Sequence, residues 1–180
     1  MIGKQYSYNN VDVLISAEDI RKKILEVGSQ ISRDYKGKNV LIIAVLNGSF
    51  IFCADLVRSL NLECKVDFIS VSSYIGTQTQ GKVKVVSGIK EDIIGKDVVI
   101  IEDIVDRGFT LDFLIKEISL KKPKSIKTCV FLNKKCAREK EVAIDYNCFE
   151  IGNDFVVGYG LDYNGFFRQL PYVGKIKESV

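Results

Sequence analysis

The chain has 180 residues, 47% of them hydrophobic and 27% charged, with a formal net charge of +3 from 26 basic and 23 acidic residues. That balance fits a folded globular protein of one domain, 1–180; it excludes a disordered chain, and the charge is too mild to argue for nucleic acid by itself. There is no histidine, which removes Ser-His-Asp and Cys-His nucleophiles and histidine metal sites and leaves acid–base chemistry to Asp, Glu, Lys, Tyr or Cys.

In chain order, Met1 to Tyr6 lacks the apolar stretch of a signal peptide, and no later run approaches the ~20 residues of a membrane span, so a cytoplasmic protein without a membrane partner is expected. Ser16 with Asp19 reads as a helix cap, and Ile20, Ile24, Val27 and Ile31 recur at helical spacing, predicting a helix from about 17 to 35. Val40 to Leu46 is the continuous apolar run of a strand buried on both faces. Asn47-Gly48-Ser49 is a turn, and Phe52, Leu56, Val57 and Leu60 mark a second helix. Val66 to Tyr74 reads as a strand, Ile75 to Gly81 as a mobile loop, and Val83 to Val86 as a short strand. Val98 to Ile101 is another buried strand; after a turn, Leu111, Leu114, Ile115 and Ile118 predict a third helix. Ile126 to Leu132, Val142 to Ile151 and Phe155 to Leu161 supply further strands. The alternation implies an α/β domain with a mainly parallel twisted sheet flanked by helices, its chain ends forming a small hood lobe over the strand tips. The five cysteines (Cys53, Cys64, Cys129, Cys136, Cys148) show no C-x-x-C spacing and read as core thiols in a reducing compartment.

The chemistry concentrates after Val98. Four apolar residues run into Glu102 and Asp103, then Ile104-Val105, then Asp106-Arg107-Gly108-Phe109-Thr110, then a helix. Carboxylates at the C-terminal end of a buried parallel strand stand where such sheets bind ligands. The glycine turn and helix start offer backbone N–H groups to a phosphate. Acceptors for sugar hydroxyls beside donors for phosphate suit a phosphorylated sugar. A P-loop is absent, because none of the Gly-Lys pairs at 3, 37, 81, 95 and 174 is followed by Ser or Thr. A dinucleotide fingerprint is absent too, since Tyr163 stands at the third glycine position after Gly158 and Gly160.

Together with Leu46-Asn47-Gly48-Ser49-Phe50, Ala54-Asp55-Leu56, Ser73-Tyr74 and Phe155 to Asn164 running on to Arg168, this segment resembles the type I phosphoribosyltransferases, in their hypoxanthine-guanine branch. The resemblance covers nearly the whole chain. It implies transfer of 5-phosphoribose from phosphoribosyl pyrophosphate to a 6-oxopurine with Mg2+, in a homodimer or homotetramer. It makes Glu102 and Asp103 the ribose acceptors, shared with magnesium, and Asp106 the general base near N7. Asp106, Arg107, Gly108, Phe109 and Thr110 become the 5′-phosphate loop. Lys134 donates to O6 of the purine, Phe155 stacks on it, and Val156 meets its edge through the backbone. Asp162 holds a magnesium at the purine side and Arg168 the pyrophosphate. Leu46, Asn47 and Gly48 form the pyrophosphate loop, often of unusual peptide geometry, and Ser73 and Tyr74 begin a flexible loop that closes the site.

Without the resemblance these residues have blander readings: Lys134 beside Lys135 as a basic surface turn, Phe155 as core, Asp162 as a turn residue, Arg168 as solvated. Three positions depart from the family pattern. Arg107 stands for a small hydroxyl residue, Phe109 for Asn or Lys, and Asn47 for a basic residue. A competing class is a regulator of the same fold that senses the donor and binds nucleic acid. The short basic clusters Lys121 to Lys127 and Lys134 to Lys140 are its only footing.

Overall fold

The Ser16 hydroxyl accepts the Asp19 backbone N–H at 3.1 Å, filling one of the donors that a helix start leaves open. The computed structural model describes residues 11–76 and 79–177. In chain order its elements are β1 (Val11–Ile15), α1 (Ala17–Asp34), β2 (Val40–Leu46), α2 (Phe50–Ser59), β3 (Cys64–Gly76), β4 (Thr79–Ser87), β5 (Asp97–Val105), α3 (Phe109–Ser119), β6 (Ser125–Asn133), β7 (Tyr146–Glu150), β8 (Val156–Val157) and β9 (Val173–Ile176), with a 3-10 turn at Lys135–Ala137.

The main sheet runs β4-β3-β2-β5-β6-β7. Its pairs are parallel except for antiparallel β3–β4. Alternate side chains of the central strands serve opposite faces. Val40, Ile42 and Ala44 of β2, with Val99 and Ile101 of β5, pack with Ile20, Ile24, Val27 and Ile31 of α1 and Phe52 and Leu56 of α2. Leu41, Ile43 and Val45, with Val98 and Ile100, pack instead with Leu111, Leu114 and Ile118 of α3. Burial on both faces explains why these strands are apolar at every position, and each such side chain stabilises by about 1.5–3 kcal/mol. The hood is a second sheet, β1-β9-β8, which the two ends of the described chain build together.

Four expectations need correction. The strand read from Val98 continues to Val105, so Glu102 and Asp103 lie within it. The segment read as a mobile loop, Ile75 to Gly81, is largely paired, with Gly76 opposite Thr79 and Tyr74 opposite Lys82. Ser73 and Tyr74 therefore belong to a hairpin strand, while 77–78 lie outside the described residues. The strand read as Val142 to Ile151 is only Tyr146–Glu150, because the Asp145 carboxylate accepts from the Thr128 backbone N–H at 2.9 Å and replaces the first ladder bond. The strand read as Phe155 to Leu161 is cut to Val156–Val157 by glycines at φ 96° and 100°, Gly158 and Gly160.

Candidate active site at the switch point of the sheet

β2 and β5 are neighbours, but the chain leaves them in opposite directions. β2 passes through α2 on one face to β3; β5 passes through α3 on the other face to β6. A crevice opens at such a switch point, outside the carboxyl ends of the strands. The turns that flank it are Asn47–Ser49 after β2 and Asp106–Gly108 after β5.

Glu102 is 6% exposed, and its Oε2 has no hydrogen-bond partner. Burial pushes its carboxyl well above the usual range, and the neighbouring Asp103 charge adds to the rise. Burial also raises Asp103, although Glu102, the Ile104 N–H (2.9 Å) and the charge of Arg168 act against it. A Cβ on Gly48 would lie 1.5 Å from Asp103 Oδ2, and one on Gly160 would lie 2.1 Å from the Gly48 carbonyl oxygen. Glycine at both positions lets three distant segments touch. The Leu46–Asn47 peptide is cis, the unusual geometry the resemblance implies for this turn. Arg168 joins the same cluster, donating to the Gly160 carbonyl at 2.6 Å and pairing with Asp162 at 2.7 Å. Asp162 is a turn residue, accepting the Gly165 N–H at 2.7 Å, that also pairs with Arg168, and Arg168 is therefore not a free solvated charge.

The turn after β5 is held from behind. Lys134 N–H donates to the Val105 carbonyl at 3.0 Å, and Glu139 and Lys140 N–H donate to the Arg107 carbonyl at 3.1 and 2.9 Å. Arg138 donates from Nε to the Asp106 carbonyl at 3.1 Å and from Nη2 to Asn133 Oδ1 at 2.5 Å. The Gly108 carbonyl accepts the Asp112 N–H at 3.1 Å. In a trans peptide the N–H points opposite to the C=O. Tying these carbonyls to the 134–140 strap and to α3 therefore turns the amides of Arg107, Gly108 and Phe109 the other way. Among the described residues no protein acceptor meets the N–H groups of Arg107, Gly108, Phe109, Thr110 and Leu111. They form a concave set of donors at the positive end of α3. Gly108 has φ 92°, and a Cβ there would sit 2.2 Å from the Lys140 carbonyl. Asp106 is exposed at the start of this turn.

Lys134 is 7% exposed, against the surface reading. Phe155 is 58% exposed, against the core reading, and meets Tyr163 edge-on with ring centroids 5.6 Å apart. Val156 lies in β8, which ends the hood sheet and pairs with β9 among the described residues.

Residues 12–164 match the family model described as the phosphoribosyl transferase domain. The chain is 43% identical over 171 residues to the hypoxanthine phosphoribosyltransferase of Escherichia coli K12, covering 93% of this chain and 96% of that protein. The chain belongs to the hypoxanthine-guanine phosphoribosyltransferase family. A hypoxanthine-guanine phosphoribosyltransferase from Bacillus anthracis has the same fold, with a TM-score of 0.88 at 43% identity over 92% of this chain and 98% of that one. A Staphylococcus aureus hypoxanthine phosphoribosyltransferase gives 0.91 at 37% identity, covering 94% of each. The chain also matches the bifunctional protein TilS/HprT of Listeria monocytogenes at 39% identity, and there it spans only 28% of the relative's length.

Within this family the chain's departures acquire partners. Arg107 pairs with Glu139 at 2.5 Å and lies over the Phe109 ring at 5.8 Å. Asn47 is exposed beside the cis peptide. Sequence reasoning missed the strap, counting Arg138 only among surface bases. Its contact with Asp106 spans 32 residues, and no local pattern signals that. The regulator reading finds no support in these comparisons. Three members of the basic clusters weighed for it face acids: Lys124 faces Asp97 at 3.5 Å, Lys127 faces Asp34 at 3.9 Å, and Lys135 faces Glu150 at 2.5 Å.

Proposed function

We propose that the chain is a purine-salvage transferase that moves 5-phosphoribose from phosphoribosyl pyrophosphate to N9 of a 6-oxopurine (hypoxanthine, guanine or xanthine), releasing pyrophosphate. The observation that carries this reading is the outward-turned amide set of 107–111 beside Asp103 and the buried Glu102, whose Oε2 has no partner. Phosphate suits the first and ribose hydroxyls the second. A hydroxyl donating to Glu102 Oε2 would supply the partner that no protein group gives it. Asp106 takes the purine proton near N7 as the new bond forms. Carboxylates at the ribose favour the positive charge that grows at C1′ as the pyrophosphate leaves. Lys134, buried, donates to O6; an amino group there would leave it unpaired, which selects oxo purines. Phe155 stacks on the base, and the backbone of Val156 reads its rim. Arg168 and the turn Leu46–Gly48 take the pyrophosphate. The β3–β4 hairpin, with Ser73 and Tyr74, closes over the reacting atoms and excludes water.

The hard oxygen donors Glu102, Asp103 and Asp162 fit magnesium, and the orphaned Glu102 oxygen beside Asp103 is a feature such a site would use. Magnesium bound there would take one or two of these carboxylates and fill its shell with water and phosphate oxygens. When bound, magnesium would neutralise charge on the pyrophosphate leaving group. We also take residues 1–180 to work as one domain within a cytoplasmic homodimer or homotetramer; no described helix is long and apolar enough to cross a membrane. The test is nucleotide formation from phosphoribosyl pyrophosphate, magnesium and each purine in turn. Product with 6-oxopurines and none with adenine is the expected result. No product with any 6-oxopurine would refute the proposal.

A further inference from the structure

Arg107 and Glu139 are joined across the phosphate turn by an ion pair of 2.5 Å between two exposed side chains, 62% and 48% accessible. The pair ties the turn to the strap on the side where the strap holds the Arg107 carbonyl. The Arg107 guanidinium leans forward over Phe109, the first residue of α3, whose N–H is one of the unfilled donors. Glu139 comes from the strap, and its own N–H fixes the Arg107 carbonyl at 3.1 Å. The strap thus anchors the Arg107 backbone, while the side chain is held by a solvated carboxylate and the Phe109 ring. Exposed ion pairs are weak, whereas a phosphate monoester carries nearly two charges and binds a guanidinium through paired hydrogen bonds.

We propose that Arg107 and Glu139 form an exchangeable counter-ion latch on the 5′-phosphate loop: Glu139 holds Arg107 while the loop is empty, and the 5′-phosphate takes the guanidinium from it. This rests on the loop binding phosphate, as in the function proposed above. The latch keeps a bare guanidinium from capturing stray anions, and it weakens donor and nucleotide product by the same factor. Arg107 is here a binding residue and Glu139 a positioning residue that acts through it.

The 5′-phosphate is common to the donor, the nucleotide product and free ribose 5-phosphate, but is missing from pyrophosphate and from the base. Glu139→Gln should therefore lower donor KM, product Ki and the Kd of ribose 5-phosphate together, by roughly 2- to 5-fold. The KM for hypoxanthine, the Ki for pyrophosphate and the melting temperature should stay as in wild type. Arg107→Ala should raise the three phosphate-linked constants about tenfold. Adding Glu139→Gln to Arg107→Ala should change nothing further, since Glu139 acts only through the guanidinium. Glu139→Asp, which keeps the charge, should restore the wild-type constants. The idea is overturned if Glu139→Gln raises donor KM, if it moves the hypoxanthine and pyrophosphate constants equally, or if its effect survives in the double variant. Calorimetry with ribose 5-phosphate separates the two proposals. A chain that makes no nucleotide but binds ribose 5-phosphate with these shifts loses the function and keeps the latch. A chain that makes nucleotide with constants insensitive to Glu139 keeps the function and loses the latch.

Discussion

Replacing Glu102 by Gln should make the empty protein more stable and less active, with a defined pH signature. The Glu102 carboxyl is buried against Asp103 with Oε2 unpartnered, so folding holds its pKa well above the ordinary 4.5. A raised folded pKa means that the native state binds more protons than the unfolded state above that ordinary value. The stability contributed by Glu102 is then full below pH 4.5 and is lost as pH rises toward the folded pKa. Gln does not titrate and escapes that loss. An uncompensated buried polar group costs about 1–3 kcal/mol, which in a domain of this size is roughly 3–10 °C in melting temperature. Melting followed by circular dichroism from about pH 4 to pH 8, without substrates, should show wild type and E102Q together at the acid end and separating as pH rises. Nucleotide formation by E102Q should fall, because the ribose hydroxyl loses its charged acceptor. A gap that is constant with pH, or one that opens toward acid, would refute the argument that burial of Glu102 controls the effect.

Asp106→Asn should lower kcat about 100-fold or more while the Kd of phosphoribosyl pyrophosphate stays close to wild type; turnover near wild type would remove Asp106 as the base. Lys134→Ala should reduce kcat/KM for hypoxanthine roughly 10- to 100-fold with little change in donor KM, and equal loss on both substrates in steady-state assays would mark Lys134 as structural. Away from the site, burial pushes the Asp67 carboxyl up, but backbone N–H groups of Glu91, Phe68 and Lys90 at 2.6–2.8 Å outweigh it and leave the pKa below 3.8. Its contribution is thus present above that value and lost as pH falls through the lowered one. Asp67→Asn should cost roughly 1–3 kcal/mol in urea unfolding near neutrality and progressively less in acid; a penalty that grows toward acid would contradict this.

The elements that were legible are those whose partners lie within a few residues. The Ser16 cap and the Ile20, Ile24, Val27, Ile31 spacing define α1. The unbroken apolar runs at 40–46 and 98–101 mark strands covered on both faces. Both strands of the β3–β4 hairpin were read at their outer parts, but their extension into the polar, glycine-flanked stretch Ile75 to Gly81 was hidden because that stretch looks like a loop. Lys134 looked like surface beside Lys135 because two adjacent lysines share one pattern, yet the turn after β6 buries the first and exposes the second. The strap from Lys134 to Lys140 carried no local signal at all.

By itself, the sequence determined the alternation of strands and helices and the ordered run of carboxylates, glycine and threonine from Glu102 to Thr110. Both follow from side-chain types at short spacing, where periodicity decides which face is buried. Tertiary structure alone decided which way the 105–108 carbonyls point, how deeply Glu102 is buried, and that Gly48, Asp103, Gly160 and Arg168 meet. Those outcomes depend on β2 and β5 lying side by side while their connections diverge, and on a strap returning 32 residues later to hold the turn from behind. Contacts of that range are fixed by which strands pair, a property of the whole core rather than of any one segment.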